Sequence, residues 1–108
     1  MRLGLITIVL VGAALAGCGY PEREGAEILV DTAPPDAACA VTRLGHPIAE
    51  IDPTPGIFWT DKTAAPLTVQ CRRHGFRESV VTVPAVPTSY SYEYAGRIEI
   101  ALTPLGAR

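Results

Sequence analysis

The chain has 108 residues, and its 11 acidic and 9 basic side chains give a net charge of −2 at pH 7. This balance argues against a nucleic-acid partner, because nucleic-acid-binding proteins concentrate lysine and arginine on an electropositive surface. A chain of this length has room for a single domain with a modest hydrophobic core.

The N-terminal segment has the three parts of a secretory signal. Arg2 supplies a positive charge, residues 3–15 form an apolar run, and small residues precede a cysteine. The run ends at Cys18, short of the ~20 apolar residues that a transmembrane helix needs. Its last four residues, Leu15-Ala16-Gly17-Cys18, resemble the lipobox of bacterial lipoproteins.

The lipobox resemblance implies cleavage after Gly17, thioether lipidation of Cys18 and acylation of the freed amine. A secretory signal that carries a coincidental cysteine is the alternative. The resemblance also implies a location, because an aspartate after the lipidated cysteine is associated with retention in the inner membrane. Gly19 occupies that position. We therefore expect an outer-membrane lipoprotein that faces the periplasm and contacts membrane lipid through Cys18, with the inner membrane as the less favoured location.

The domain organisation follows from this processing. Residues 1–17 are the predicted signal peptide, and residues 18–26 form the lipidated cysteine with a short tether that contains proline and charges. Residues 27–103 are the predicted folded domain, and residues 104–108 are a C-terminal tail. A flexible segment of this length holds the domain about 15 Å from its anchor on average.

Short strands separated by proline and glycine follow one another along residues 27–83. Strands are predicted at residues 27–32, 38–41, 47–51, 57–59, 66–71 and 79–83, with a strong break at residues 52–56 and turns after residues 33 and 74. The mature chain shows no helical periodicity. The pattern predicts an all-β protein, a small antiparallel β-sandwich.

Two cysteines remain once Cys18 is assigned to lipid. Cys39 and Cys71 each fall on the apolar face of a predicted strand, so both point into the core. An even pair in an exported chain predicts a Cys39–Cys71 disulfide. A metal site is the alternative, but the close ligand pairs typical of zinc sites are missing. No metal and no cofactor is expected.

A second resemblance lies in the turns. The segment from Thr32 through Pro34 and Pro35 to Val41 resembles the opening of a PEGA domain, and Thr54-Pro55 resembles the Thr-Pro turn of that family. Residues 67–76 resemble its late strand, which ends in glycine and an aromatic residue. Asp36 departs from the family, which prefers glycine there, although aspartate tolerates left-handed backbone better than most residues. The resemblance covers residues 27–83 and implies a small immunoglobulin-like β-sandwich of the kind found in envelope proteins, with no catalytic residues.

The tail alternates between two faces. Tyr90, Tyr92 and Tyr94 share the parity of three aliphatic residues, Ile98, Ile100 and Leu102, which predicts one long strand interrupted at Gly96. The tyrosines form a candidate binding surface for sugar or protein, because amphipathic rings suit both. Packing along an edge strand is the alternative.

Catalytic residues are not evident. Glu50, Asp52 and Asp61 are close in sequence and could act as paired acids, but they flank proline turns, where solvated acids are common. His46 and His74 lie at turns. A basic cluster, Arg72, Arg73 and Arg77 with His74, is interpreted as a solvated turn in preference to a phosphate site. We expect a non-catalytic binding or structural module for an envelope protein or polysaccharide, with a small envelope-polymer hydrolase, or an inhibitor of one, as the alternative.

Overall fold

A computed structural model describes residues 25–106, and the described part of the chain is all-β, with nine strands and no helix. The predicted signal peptide and Cys18 lie outside the described residues. The strands are β1 (Gly25–Ala33), β2 (Ala38–Arg43), β3 (His46–Ile51), β4 (Gly56–Asp61), β5 (Leu67–Arg72), β6 (Ser79–Val83), β7 (Val86–Pro87), β8 (Tyr92–Glu93) and β9 (Arg97–Ala101). Between residues 25 and 106, nothing resembles a membrane-spanning helix.

Two main sheets form a sandwich, which confirms the predicted fold class. The four-stranded sheet has the order β3-β2-β5-β6 and is antiparallel throughout. The three-stranded sheet has the order β4-β1-β9, in which β1 and β4 are antiparallel and β1 and β9 run parallel. Strands β7 and β8 form a separate two-stranded hairpin in the crossover from the four-stranded to the three-stranded sheet.

The core follows the period-two pattern of the strands. On β1, β5 and β9, alternate residues are buried, while their neighbours are more exposed. The buried apolar set includes Ile28, Val30, Val41, Phe58, Leu67, Val69, Ile98 and Ile100. On β4 the two aromatic neighbours take opposite sides, as predicted, because Phe58 is buried and Trp59 is exposed.

The predicted disulfide is present within the four-stranded sheet. Cys39 on β2 lies directly opposite Cys71 on β5, and their sulfur atoms are bonded. Both side chains are buried. The bond closes a loop with a sequence separation of 32 residues, which on a chain-entropy estimate stabilises the fold by about 3–4 kcal/mol.

Thr54, in the turn between β3 and β4, holds the two proline turns together. Its backbone N–H donates to the Ala37 carbonyl at 2.9 Å, and its carbonyl accepts from the Asp36 N–H at 3.0 Å. Its buried hydroxyl oxygen lies 2.5 Å from that of Thr32 and accepts from the Ala37 N–H at 3.0 Å. Asp36 has a positive φ of 68°, the left-handed geometry for which its residue type is suited.

The hydroxyl network has one consistent proton arrangement. Thr32 Oγ1 lies 2.7 Å from the Pro34 carbonyl, an oxygen that can only accept, so the Thr32 hydroxyl donates there. Its oxygen then accepts the proton of the Thr54 hydroxyl. Both hydroxyls of this cluster are thus satisfied, and Thr54 is the buried residue of an otherwise exposed turn at residues 52–55.

The prediction of one long strand through the tail is wrong, because Tyr92–Glu93 form β8, which pairs with β7, and residues 94–96 separate it from β9. Thr88 to Ser91 form the tight turn of the β7–β8 hairpin, in which the Thr88 hydroxyl accepts from the Ser91 N–H at 3.0 Å. Residues 88–91 therefore turn instead of extending, because Thr88 and Ser91 satisfy each other's backbone hydrogen bonds. The aliphatic half of the prediction is confirmed, because Ile98, Ile100 and Leu102 are buried.

The sandwich has two distinguishable ends. We call the end at which β1 begins the near end, and the opposite one the far end. Arg43, an inward-facing residue at the end of β2, joins the two sheets at the near end by donating to Thr60 Oγ1 at 2.7 Å and to the Asp61 carbonyl at 2.9 Å. Its Nε is buried without a hydrogen-bond partner among the described residues. β1 starts at Gly25, opposite Asp61, slightly before the predicted domain boundary at residue 27.

Candidate functional site: a groove with charged walls

A groove runs over the outer face of the four-stranded sheet, towards the far end. Its floor is the middle strand β2, where Ala38 and Ala40 face outward because Cys39 and Val41 face the core. Longer side chains rise on both sides and leave a cavity of about 280 Å³. The small floor residues therefore let a ligand approach the backbone of the sheet.

The walls of the groove carry opposite charges. Glu50 and Asp52 form the β3 wall, while Gln70 and Arg72 form the β5 wall. In the part of the chain that the structure describes, no ion pair joins Arg72 to either carboxylate. One wall can accept hydrogen bonds and the other can donate them.

The β5 wall continues into the predicted basic cluster. Gln70 is held by a hydrogen bond from its amide to the carboxylate of Glu78. Arg72 also lines an adjoining depression with Arg73, His74, Phe76 and Glu78. Arg73 is anchored there, since its Nε donates to the Pro35 carbonyl at 2.8 Å and its guanidinium lies 5.2 Å from the centre of the Phe76 ring. Arg72 is thus the member of the cluster that lines both depressions.

The three carboxylates named from the sequence do not converge. Glu50 and Asp52 share the groove, whereas Asp61 ends β4 of the other sheet at the near end. The two histidines are also separated, because His46 pairs with Arg43 at the near end and His74 follows β5 at the far end. Within residues 25–106, no three His, Cys, Asp or Glu side chains are grouped as metal ligands.

The three tyrosines of the predicted binding surface lie in different environments. Tyr90 is at the hairpin tip with 98% of its surface exposed, Tyr92 is half-buried, and Tyr94 is only 7% exposed. The Tyr94 hydroxyl donates to the Ala65 carbonyl at 2.7 Å and contacts the Thr63 hydroxyl at 3.0 Å. Tyr94 is therefore part of the core, and the three rings do not form one exposed stripe.

The groove was missed at the sequence level, although a signal was present. The predicted phase of β2 already turned Ala38 and Ala40 outward, between strands whose outward residues are long. What was missing was the strand order that brings β3 and β5 to either side of β2.

Comparisons with protein-family models, curated proteins and solved structures found no match for this chain.

Proposed function

We propose that the protein is a lipid-anchored, non-catalytic binding or structural module of the bacterial envelope, held on the periplasmic face of the outer membrane by acylated Cys18. Its groove binds an envelope protein or polysaccharide. The lipobox-like segment supports the anchor, and the resemblance to PEGA domains supports an envelope location. The observation that carries the binding proposal is the groove with an alanine floor and oppositely charged walls.

The ligand class follows from the chemistry of the groove. Its carboxylates accept from hydroxyl or amide donors, while Arg72 donates to a carbonyl, carboxylate or phosphate oxygen. The volume of about 280 Å³ lies just below the usual range for ligand pockets, so the groove holds only a short section of a chain. Extended peptides and linear polysaccharides both present donors and acceptors along such a section.

A groove-filling substitution tests this proposal. A40Y places a large ring on the floor without entering the core, because Ala40 faces outward. The matched control is A101Y, an alanine-to-tyrosine change at an exposed strand position of the other sheet. We expect A40Y to abolish cross-linking to the envelope partner, or sedimentation with isolated cell-wall polymer, while A101Y retains both. Equal binding by the two variants would remove the groove from the proposal.

The hydrolase or inhibitor alternative now depends on two carboxylates. Glu50 and Asp52 share the groove and could act on a bound polymer, whereas Asp61 lies at the other end of the molecule. Under this alternative, E50Q/D52N abolishes hydrolysis or inhibition of the polymer, and D61N leaves it intact. Under the binding proposal, the polymer is bound but not shortened by any of these proteins.

A further inference from the structure

Four of the seven large apolar side chains that are exposed among the described residues lie on segments at the near end of the sandwich. Leu44 in the β2–β3 turn is 75% exposed, and Trp59 on β4 is 47% exposed. The β7–β8 hairpin adds Val86 and, at its tip, Tyr90. Exposed apolar side chains gathered at one end of a domain indicate a surface that contacts a partner or a membrane.

Hydrogen bonds and an ion pair join the segments that carry or flank these side chains at one end of the sandwich. Arg43 joins the end of β2 to the end of β4, and Lys62, just after β4, forms a 2.9 Å ion pair with Glu93 of the hairpin. The Tyr94 hydroxyl binds the Ala65 carbonyl of the β4–β5 loop. The β2–β3 turn, the loop and the hairpin are therefore neighbours.

Trp59 also lies beside the first residue of β1. Its indole packs directly over Gly25, where an added Cβ would overlap the ring. Gly25 is the seventh residue after Cys18 in the sequence. A fully extended segment of that length reaches about 25 Å, and a flexible one averages about 15 Å.

We propose that the near end rests on the lipid bilayer, with Trp59, Leu44 and Tyr90 in the interfacial layer. This inference rests on the proposed lipid anchor at Cys18. Strands of about six residues are roughly 20 Å long, which exceeds the average tether length of about 15 Å, so on average the near end lies closer to the bilayer than the far end. Tryptophan and tyrosine suit this position, because their rings are apolar on one side and polar on the other.

The charges of the near end indicate which lipid surface it fits. The near end carries two basic side chains, Arg43 and Lys62, and two acidic ones, Asp61 and Glu93, while Glu27 adds a carboxylate opposite Trp59 on the adjacent strand. With no excess of positive charge, binding depends on apolar and aromatic contact and does not require anionic headgroups. The groove, which lies on the outer face of the four-stranded sheet towards the far end, is then held away from the bilayer and stays open to a periplasmic partner.

The single tryptophan of the chain makes this proposal testable by fluorescence. The full-length mature protein, purified from membranes with its lipid, is reconstituted into vesicles of phosphatidylcholine with or without brominated acyl chains. A ring held ~5–10 Å into the interface lies within reach of the bromine atoms, so we expect Trp59 to be strongly quenched in the brominated vesicles. The control is W59F/L105W, which moves the tryptophan to position 105. Leu105 is exposed, and its backbone N–H donates to the Gly75 carbonyl at the far end. We expect little quenching there.

A further variant, L44S/Y90S, keeps the anchor and Trp59 but removes the flanking apolar contacts. We expect its quenching to fall well below that of the unmodified protein. If W59F/L105W is quenched as strongly as the protein with Trp59, and both carry lipid and bind the vesicles, this inference is wrong, while the proposed lipid anchor is unaffected. Protein without lipid at Cys18 that stays in solution would overturn both.

Discussion

Replacement of Thr54 by valine tests whether the buried hydroxyl network holds the proline turns. Valine has nearly the same shape as threonine, so T54V removes the hydroxyl without opening a cavity. The Ala37 N–H then has no side-chain acceptor, and Thr32 Oγ1 no longer accepts a hydrogen bond from residue 54. The Thr32 hydroxyl still donates to the Pro34 carbonyl.

The expected loss follows from the buried amide. A buried donor left without a partner costs about 1–3 kcal/mol, so we expect T54V to lower the free energy of unfolding by about 2 kcal/mol. For a domain of this size, that corresponds to a fall of roughly 1–2 M in the urea midpoint. T32V also removes the donor to Pro34, and the two variants should be non-additive because they share one hydrogen bond.

Urea unfolding of the chain that begins at Gly19, followed by Trp59 fluorescence, measures this effect. The matched control is T68V, because Thr68 is an outward-facing threonine on β5. We expect T68V to change the free energy of unfolding by less than about 0.5 kcal/mol. A T54V midpoint that equals the T68V midpoint would show that the hydroxyl network contributes nothing to stability.

Two further predictions concern the disulfide and the hairpin. C39A/C71A should lower the free energy of unfolding by about 3–4 kcal/mol. Reductant should lower the urea midpoint of the protein that has both cysteines but leave that of C39A/C71A unchanged. A midpoint of the two-cysteine protein that reductant does not change would contradict the entropic role of the bond. Y94F should lower the free energy of unfolding by about 1–2 kcal/mol, because the Ala65 carbonyl loses its hydrogen-bond donor. Y90F should leave it unchanged, because the Tyr90 ring is exposed. If thermal unfolding finds Y90F less stable than Y94F, Tyr94 is not the tyrosine that stabilises the core.

The strands of residues 25–83 could be predicted because their signals are local. Alternating Leu67, Val69 and Cys71 gave both the strand and its inward face, and the prolines and Gly75 gave the breaks. The disulfide followed from the inward phase of two cysteines. These features depend on a few adjacent residues, so the sequence was sufficient.

The remaining features depend on contacts between distant segments. The parity of Tyr90, Tyr92 and Tyr94 matched that of the last strand, but hydrogen bonds between Thr88 and Ser91 close a hairpin turn there. Arg43 faces inward at the end of β2 because it bridges to Thr60 and Asp61 on another strand, and no local pattern around it predicts that contact. The groove required the order β3-β2-β5, which no local pattern specifies.

The lipid at Cys18 is the central claim, because both the envelope location and the orientation depend on it. Intact-mass and fragment-mass spectrometry of the protein purified from the membranes of the cells that produce it tests this claim directly. We predict a chain that lacks residues 1–17 and whose N-terminal fragment begins at Cys18 with the added mass of a thioether-linked lipid and an N-acyl chain. A chain that begins at any other residue, or at an unmodified Cys18, would contradict the account.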